Sequence, residues 1–238
     1  MLRFLRYFLL SVHFIVGSLM GLVVCLVRPF HQDNSHYCAR IFGWARFYLG
    51  VRFKARNECP VGRGQAIYVC NHQDSLDMFL YPPMFPYNLA LLGKHSLMYI
   101  PLFGLLFWLA GNIFINRSNK TKASNAMAEA ARTVHKKGCA VFIFPEGTRS
   151  RGRGLLPFKH GAFTLAIEAG LPIVPLCFSS THKNVDLTKL KAGVCIGEYL
   201  PPVSTEGLSR TDAKALAEKV HAQMAAAIER LDEVAAGA

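Results

Sequence analysis

An uncharged apolar run near the amino terminus limits where the first helix of this 238-residue chain can lie. No residue from 7 to 27 carries a fixed charge, Arg3 and Arg6 precede the run, and Arg28 closes it. A run of about 20 apolar residues is long enough to cross a bilayer, with its basic end on the cytoplasmic side. A cleaved signal peptide is disfavoured, because its apolar core would be shorter and no A-x-A-like site follows. We expect a membrane helix, and the sequence leaves open whether it spans the bilayer or inserts into one leaflet.

A second segment, residues 36–56, combines aromatic and basic side chains. Its apolar positions recur every three or four residues and are Tyr37, Ile41, Trp44, Phe47, Tyr48 and Val51. Interleaved basic residues are typical of a helix in the headgroup region, and a core helix of a soluble domain is the alternative. Residues 1–56 hold eight Lys or Arg and a single acid, Asp33. Since each basic group near an anionic leaflet contributes about 1 kcal/mol, we predict that residues 1–56 anchor the chain to an anionic phospholipid membrane.

Composition narrows the class of protein. The chain is 52% hydrophobic and 18% charged, with a formal net charge of +12. A disordered chain is excluded, because this much apolar surface offsets the entropy cost of ordering. The aromatic residues cluster with aliphatic ones instead of lying among the basic residues as stacking platforms. We therefore expect a membrane partner and no nucleic acid.

The seven cysteines show no C-x-x-C pair and no Cys/His spacing typical of zinc. We predict neither a metal site nor a cofactor. An odd number of cysteines without a disulfide framework is typical of a reducing compartment, which favours exposure to the cytoplasm.

After residue 56, short β-branched or aromatic runs alternate with helical ones. Strands are predicted at 51–55, 66–70, 89–93, 112–115, 140–144, 172–178 and 193–198, and helices at 75–84, 95–110, 121–137, 161–169 and 209–234. This alternation predicts an α/β fold, a single domain with a mostly parallel or mixed central sheet flanked by helices. We place the membrane anchor at residues 1–56 and the globular domain at residues 57–238, which no Pro/Gly/Ser-rich linker divides.

The first segment that carries chemistry follows the predicted strand 66–70. It has the sequence NHQDSLD, with His72 and Asp77 five residues apart. On one helix these side chains would point about 140° apart, so they meet only if the chain turns between them. A carboxylate on one ring nitrogen would leave the other as a general base, whereas a His capping a helix beside an exposed Asp is the alternative. Because no G-x-S-x-G nucleophile is present, such a base would activate a substrate hydroxyl, which implies transfer to an alcohol.

The second segment, FPEGTRSRGR at residues 144–153, places three arginines at alternate positions. Guanidinium forks and backbone N–H groups suit an anion, and phosphate is the natural fit. Glu146 either orients one of the arginines or accepts a hydrogen bond from a substrate hydroxyl. A solvated basic loop is the alternative, although residues 115–160 hold ten Lys or Arg against two acids. Because both segments leave the carboxyl ends of predicted strands, we expect them to share one site.

Taken together, four segments resemble the glycerolipid acyltransferases. NHQDSLD, GNIFINR, FPEGTRSR and VPL match the four blocks of that family in order and at similar separations, and the likeness continues through GRGLLPFKHGAF. The resemblance implies that His72 and Asp77 are the catalytic pair of the HX4D block and that residues 57–238 are an acyltransferase domain. It also implies that the acceptor's phosphate is bound by the second and third blocks, at Arg117, Glu146, Gly147, Thr148 and Arg149. We assign Lys94, after predicted strand 89–93, as an accessory residue near the phosphate or the thioester oxygen.

The activity that this resemblance implies is acyl transfer. A membrane-bound enzyme would move a fatty acyl group from acyl-CoA or acyl-carrier protein to the sn-2 hydroxyl of lysophosphatidate, at the bacterial inner (cytoplasmic) membrane with its active site facing the cytoplasm. Asn116 stands where the family commonly has Asp, which should not abolish anion binding. An acyltransferase for a different lysolipid is the alternative, and a non-enzymatic basic membrane- or nucleic-acid-binding protein is a distant one.

Overall fold

Three helices precede the first strand in the computed structural model, which describes residues 1–115 and 130–237. They are α1 (Leu2–Val27), α2 (Asn34–Gly43) and α3 (Ala45–Leu49). Gly50 ends α3 in the left-handed conformation, with φ of 70°, and the chain then enters a strand. The predicted helix over 36–56 is therefore wrong as a single element, because two short helices and a strand occupy that segment.

The strands form one seven-stranded sheet. They are β1 (Val51–Ala55), β2 (Ile67–Cys70), β3 (Leu89–Lys94), β4 (Ile113–Ile115), β5 (Ala140–Ile143), β6 (Ile173–Phe178) and β7 (Gly193–Tyr199). Their order is β1-β7-β6-β2-β5-β3-β4, with β6 and β7 antiparallel and the other neighbours parallel. Each strand lies within one residue of its predicted bounds, and the mixed sheet confirms the predicted fold class.

Helices connect and cover these strands. They are α4 (Asp77–Leu80), α5 (Phe103–Leu109), α6 (Gly161–Ala169), α7 (Thr181–Asn184) and α8 (Ala213–Ala236), and residues 130–137 are helical as well. The predicted helices 75–84 and 95–110 are each divided between an α-helix and a 3₁₀ turn. The predicted helix 121–137 lies partly outside the described residues. The predicted start of the last helix is confirmed, because Ser209 and Asp212 form a capping box there.

The sheet separates two apolar cores. On β2, Tyr68 and Cys70 face the core that includes residues of α1, α2 and α5, whereas Ile67 and Val69 face the core beneath α6 and α8. All four side chains are fully buried. A parallel strand covered on both faces is a continuous apolar run, as this one is. The polar residues that follow β2 therefore stand out at the carboxyl edge of the sheet.

The long helix α1 lies along the domain over most of its length. Nε2 of His13 is 3.0 Å from the carbonyl oxygen of Ile41. A Cβ on Gly21 would come within 2.9 Å of Leu106 on α5, so the two helices are in close contact there. Cys25, near the end of the helix, is fully buried. The opposite face of α1 is apolar and exposed, and among the described residues α1 is the one helix long and apolar enough to cross a membrane.

Arg6 on α1 is buried inside the protein. Its guanidinium donates hydrogen bonds to four main-chain carbonyls, those of Tyr48 at 3.3 Å, Leu187 at 2.9 Å, Lys189 at 2.6 Å and Leu190 at 2.8 Å. With 3% of its surface exposed, Arg6 holds α1 against the turn before β7. The expectation that this charge adds to membrane attraction is therefore wrong.

The predicted boundary at residue 56 lies after β1 in the sequence. This strand pairs in parallel with β7, so the segment assigned to the anchor contributes an edge strand to the sheet. The division into anchor and domain stays a prediction.

Candidate active site

Two loops meet at the carboxyl edge of the sheet, where the neighbouring parallel strands β2 and β5 end. We call residues 71–77 the base loop and residues 144–153 the arginine loop. The main-chain N–H of Ser150 donates to the carbonyl oxygen of His72 at 2.8 Å, and that of Arg151 donates to Gln73 at 2.9 Å. The structure therefore brings the two loops together, as their positions after strands predict.

His72 and Asp77 form a hydrogen-bonded pair. Nδ1 of His72 lies 2.7 Å from Oδ2 of Asp77, the first residue of α4. The turn over residues 73–76 reverses the chain, which is how side chains five residues apart come to face each other. When Nδ1 carries the proton donated to the carboxylate, Nε2 has a free lone pair. The pair thus has the chemistry of a general base with its tautomer fixed.

Asp77 is buried and held by further donors. Its side chain is 2% exposed, and Oδ2 also accepts the main-chain N–H of Gln73 at 2.7 Å. Burial raises the pKa of Asp77, while the hydrogen bond from His72 opposes that rise. Since the carboxylate is locked by several N–H groups, it holds the imidazole in one orientation.

Phe144 lies against one face of the His72 imidazole. Its ring stacks on the imidazole of His72, with centroids 4.0 Å apart and an interplanar angle of 16°. The side chain of His72 is 19% exposed, so it reaches solvent from between Phe144 and Asp77. The sequence reasoning missed this role of Phe144, although an aromatic residue directly after a buried strand and at the start of the arginine loop is a usable signal.

The tip of the arginine loop is exposed to solvent. Thr148 and Arg149 are exposed, and Gly147 adopts the left-handed conformation with φ of 69°. A Cβ on Gly147 would come within 3.0 Å of Nζ of Lys159. Lys159 is thus a second cation beside the loop, and its main-chain N–H is tied to the carbonyl of Pro145 at 2.9 Å. The predicted site omitted Lys159, although it belongs to the stretch GRGLLPFKHGAF.

Lys94 and Arg117 complete the set of predicted site residues. Lys94 is the last residue of β3, which is separated from β2 by β5, and its side chain is exposed at the carboxyl edge. Arg117 lies outside the described residues, two positions after the end of β4. Their roles stay predictions.

Glu146 points inward, away from the outward-facing residues of the arginine loop. It is 2% exposed; Oε1 accepts the main-chain N–H of His72 at 2.6 Å, and Oε2 accepts that of Leu156 at 3.0 Å. Burial raises its pKa, and the two backbone hydrogen bonds oppose that rise. Within the described residues, Glu146 forms no ion pair with an arginine.

Asn71 and Gln73 brace the base loop on either side of His72. The amide of Asn71 exchanges two hydrogen bonds with the main chain of Phe178, at 3.0 and 2.9 Å. Gln73 donates to the hydroxyl of Tyr81 at 2.8 Å and accepts the main-chain N–H of Thr181 at 2.7 Å. Both side chains are buried, and buried amides are ordinarily satisfied in this way. Their role is missed from sequence, although two amides flanking a histidine at a strand end are a signal.

Across residues 1–115 and 130–237, no group of three or more His, Cys, Asp or Glu side chains has the arrangement of a metal site. The expectation of no cofactor stays a prediction. The described residues combine a histidine base, a buried carboxylate and an exposed basic loop, which is an arrangement suited to deprotonating a hydroxyl on an anionic molecule.

Known proteins resemble this chain over nearly its whole length. The acyltransferase family model matches residues 51–179. The chain is 40% identical over 236 residues to the 1-acyl-sn-glycerol-3-phosphate acyltransferase of Haemophilus influenzae, covering 98% of each. It is 37% identical over 234 residues to the Escherichia coli protein of the same name, covering 98% of this chain and 96% of that one. The crystal structure of the 1-acyl-sn-glycerophosphate (LPA) acyltransferase PlsC from Thermotoga maritima, at 22% identity, has the same fold, with a TM-score of 0.71 over 96% of this chain and 97% of that one.

Proposed function

This chain belongs to the acyltransferase family, and we propose that it transfers a fatty acyl group from an acyl thioester to the sn-2 hydroxyl of 1-acyl-sn-glycerol-3-phosphate, giving phosphatidic acid. The observation that carries the proposal is the hydrogen-bonded pair of His72 and Asp77 beside the exposed Arg149. Relatives that match this chain almost end to end are named for this reaction.

The chemical step follows from the geometry of the pair. Nε2 of His72 takes the proton of the sn-2 hydroxyl as its oxygen bonds to the thioester carbonyl carbon, and Asp77 stabilises the imidazolium that forms. The tetrahedral intermediate collapses with cleavage of the carbon–sulfur bond, and the departing thiolate takes the proton from His72. A thioester is thus exchanged for an ester, and His72 returns to its neutral form. A base in this position contributes about 10²- to 10⁴-fold to the rate.

The arginine loop supplies the acceptor's orientation. Its guanidinium at Arg149 suits a bidentate contact with phosphate, and the hydroxyl of Thr148 and the ammonium of Lys159 add donors nearby. Arg117 joins this set in the proposal on the strength of its motif. The main-chain N–H of Ser150, the residue after Arg149, donates a hydrogen bond to the carbonyl oxygen of His72. A phosphate bound at Arg149 would therefore lie at a fixed distance from the base.

The enzyme sits, we propose, on the cytoplasmic face of the bacterial inner membrane with α1 in a single leaflet. Contacts from Arg6 to Cys25 hold α1 along the domain, so the helix is not free to stand across the bilayer by itself. Its outer face is apolar, and the adjoining Trp44, Phe47 and Trp108 are also largely exposed. A lysophosphatidate whose acyl chain stays in that leaflet would present its glycerol phosphate at the membrane surface, where the domain lies.

The acyl donor is an acyl-CoA or an acyl-carrier protein, and the experiment compares both. Purified protein in phosphatidylglycerol-containing vesicles receives labelled acyl groups from each donor, with lysophosphatidate in competition with lysophosphatidylcholine and lysophosphatidylglycerol. We expect label to accumulate in phosphatidic acid. Preferential labelling of another diacyl lipid would assign a different lysolipid acceptor, and no labelled lipid with either donor would refute the activity.

A further inference from the structure

We propose that Glu146 is a positioning residue, which fixes the catalytic histidine through its main chain, and that it does not bind the acceptor. The inference deepens the proposed function, because it assigns to one residue of the arginine loop a task inside the base loop. It rests on three observations: the bonds of the Glu146 carboxylate, its burial, and the way in which the two loops are joined.

The carboxylate of Glu146 has both oxygens engaged by main-chain donors. Oε1 lies 2.6 Å from the amide nitrogen of His72, and Oε2 lies 3.0 Å from that of Leu156. The side chain is 2% exposed, so a bound lipid would have to displace these bonds to reach it. A carboxylate would also repel a phosphate group at short range. Glu146 is therefore unsuited to be a ligand for the acceptor's phosphate.

The amide of His72 needs an acceptor that the sheet does not provide. His72 lies two residues beyond the end of β2, where the ladder of strand hydrogen bonds has stopped. A main-chain donor left without a partner at a buried position is costly, and a charged acceptor gives a stronger bond than a neutral one. Glu146 supplies that acceptor, so it sets where the backbone of the base lies.

The hydrogen bond from the N–H of His72 to Glu146 is one of several that join the base loop to the arginine loop. Ser150 and Arg151 donate main-chain N–H groups to the carbonyls of His72 and Gln73, while Glu146 accepts from the N–H of His72. His72 is thus held at both its N–H and its C=O by the arginine loop. A displacement of about 1 Å in such a site is enough to cost on the order of 10²-fold in rate.

Glu146→Gln and Glu146→Ala test this assignment, with Glu218→Gln as the matched control. Glu218 lies on α8 with 68% of its side chain exposed. Glutamine keeps an oxygen for the N–H of His72 but turns its NH₂ toward the donor of Leu156, whereas alanine removes both acceptors. We expect kcat to fall on the order of 10-fold in Glu146→Gln and 10²-fold in Glu146→Ala, with the KM for lysophosphatidate within about twofold of wild type. The control should leave both constants unchanged.

A raised KM for lysophosphatidate with kcat retained would overturn the inference, because it would make Glu146 a substrate ligand. Unchanged kinetics in Glu146→Gln and Glu146→Ala would overturn it as well. The melting temperature of Glu146→Gln in detergent shows that the protein used for kinetics is folded; if Glu146→Ala does not fold, the glutamine variant alone decides between these outcomes.

A second measurement needs no substrate and so separates this inference from the proposed function. Hydrogen–deuterium exchange, resolved to single residues by fragmentation of the peptide that covers residues 70–76, reports on the amide of His72. We expect exchange at this amide to be at least about tenfold faster in Glu146→Ala, or failing that in Glu146→Gln, than in wild type and Glu218→Gln. Equal protection in all proteins would refute the positioning role even if acyl transfer to lysophosphatidate is confirmed, and faster exchange would support it even if the acceptor proves to be another lipid.

Discussion

Hydrogen bonds to Asp77 fix the tautomer and the orientation of the His72 imidazole. Its Oδ2 lies 2.7 Å from Nδ1 of His72 and 2.7 Å from the main-chain nitrogen of Gln73. Oδ1 accepts the main-chain N–H of Asp74 at 3.2 Å. An amide could keep the two bonds at the Oδ2 position only by setting its NH₂ against the N–H of Asp74, and the reverse orientation would turn a donor toward Nδ1 of His72 and favour the wrong tautomer of the ring.

We therefore expect Asp77→Asn to lower kcat about 10³- to 10⁴-fold while the KM for lysophosphatidate changes little, since the phosphate contacts are untouched. Steady-state kinetics with both substrates varied measure the two constants. A kcat within about threefold of wild type would show that the carboxylate is not needed to hold the base.

The buried carboxyl of Glu146 gives a pH-dependent stability of defined sign. Burial raises its pKa in the folded protein above the value of about 4.3 in the unfolded chain. Between those two values the folded protein binds more protons than the unfolded chain does, so this group's contribution to the free energy of unfolding falls as pH rises, and it is constant above the raised pKa.

Glu146→Gln removes that titration. We expect the free energy of unfolding of wild type, minus that of the variant, to decrease as pH rises above about 4 and to become constant above the raised pKa. Urea unfolding in detergent at several pH values measures both proteins. A difference that increases with pH would mean that the folded-state pKa is lowered instead.

Some residue roles are predictable from sequence and others are not. The pairing of His72 with Asp77 is local, because a turn of a few residues decides it. The partners of Glu146 are main-chain groups 74 and 10 residues away, and no side-chain pattern encodes them. The sequence therefore indicates that this glutamate belongs to the site, with an arginine or a substrate hydroxyl as its expected partner, but it does not indicate the two main-chain partners that the structure shows.

At the scale of elements, the arginine loop is the turn that we propose binds the acceptor's phosphate. Arg149 and Arg151 are both exposed on it, and both precede the glycine-rich end of the loop. They differ in position, since Arg149 lies two residues after Gly147, which is close to the ammonium of Lys159. We infer that the phosphate lies on the side of Arg149.

We expect Arg149→Ala to raise the KM for lysophosphatidate on the order of tenfold and the KM for the acyl donor much less. Arg151→Ala is the matched control, because it removes the same charge from the same loop and should have a smaller effect. Initial rates at varied concentrations of each substrate give both constants. Equal increases for the two substrates, or equal effects of the two variants, would argue that this turn is not the phosphate site.

The strands were more predictable than the helices, for a physical reason. Strands such as β2 and β6 are buried along their whole length and are therefore uninterrupted apolar runs bounded by polar residues. The helices over 36–56 and 95–110 are broken by backbone geometry, at Gly50 and at Leu102, both of which have positive φ. Hydrophobic periodicity does not register such a break, because the apolar pattern continues across it.

At the scale of the whole molecule, α1 packs against the domain that contains the sheet. The sequence predicts that α1 exists, but its docking depends on contacts between residues that are far apart in the chain. Arg6 bonds to carbonyls 181 to 184 positions away. Gly50 lies against the same junction, where an added Cβ would come within 2.6 Å of the Arg6 guanidinium. This junction fixes how the apolar face of α1 is oriented relative to the active site.

Arg6→Ala leaves the carbonyls of that junction without their donor. We expect it to lower the free energy of unfolding by roughly 2–4 kcal/mol, because several hydrogen bonds from a charged group are lost at a buried position. Arg3→Ala is the control, since Arg3 is exposed three residues earlier on the same helix. Urea unfolding in detergent compares the variants, and equal losses in both would show that Arg6 does not hold the helix to the domain.

The net charge of +12 is accordingly divided among different tasks. Arg6 is structural and buried, whereas we propose that the arginine loop and Lys159 surround the acceptor's phosphate and that exposed basic residues such as Arg3 face the headgroups. In this proposal, His72 is the base that deprotonates the hydroxyl of a phosphate-bearing lipid at the membrane surface as that hydroxyl is acylated.

Transfer of a labelled acyl group to lysophosphatidate by wild type and by His72→Ala, in the same vesicles, tests that claim most directly. We predict that wild type forms labelled phosphatidic acid and that His72→Ala loses transfer by at least about 10²-fold while it still folds and binds vesicles. Near-normal turnover by His72→Ala would contradict the account, because the proton would then leave the hydroxyl by another route.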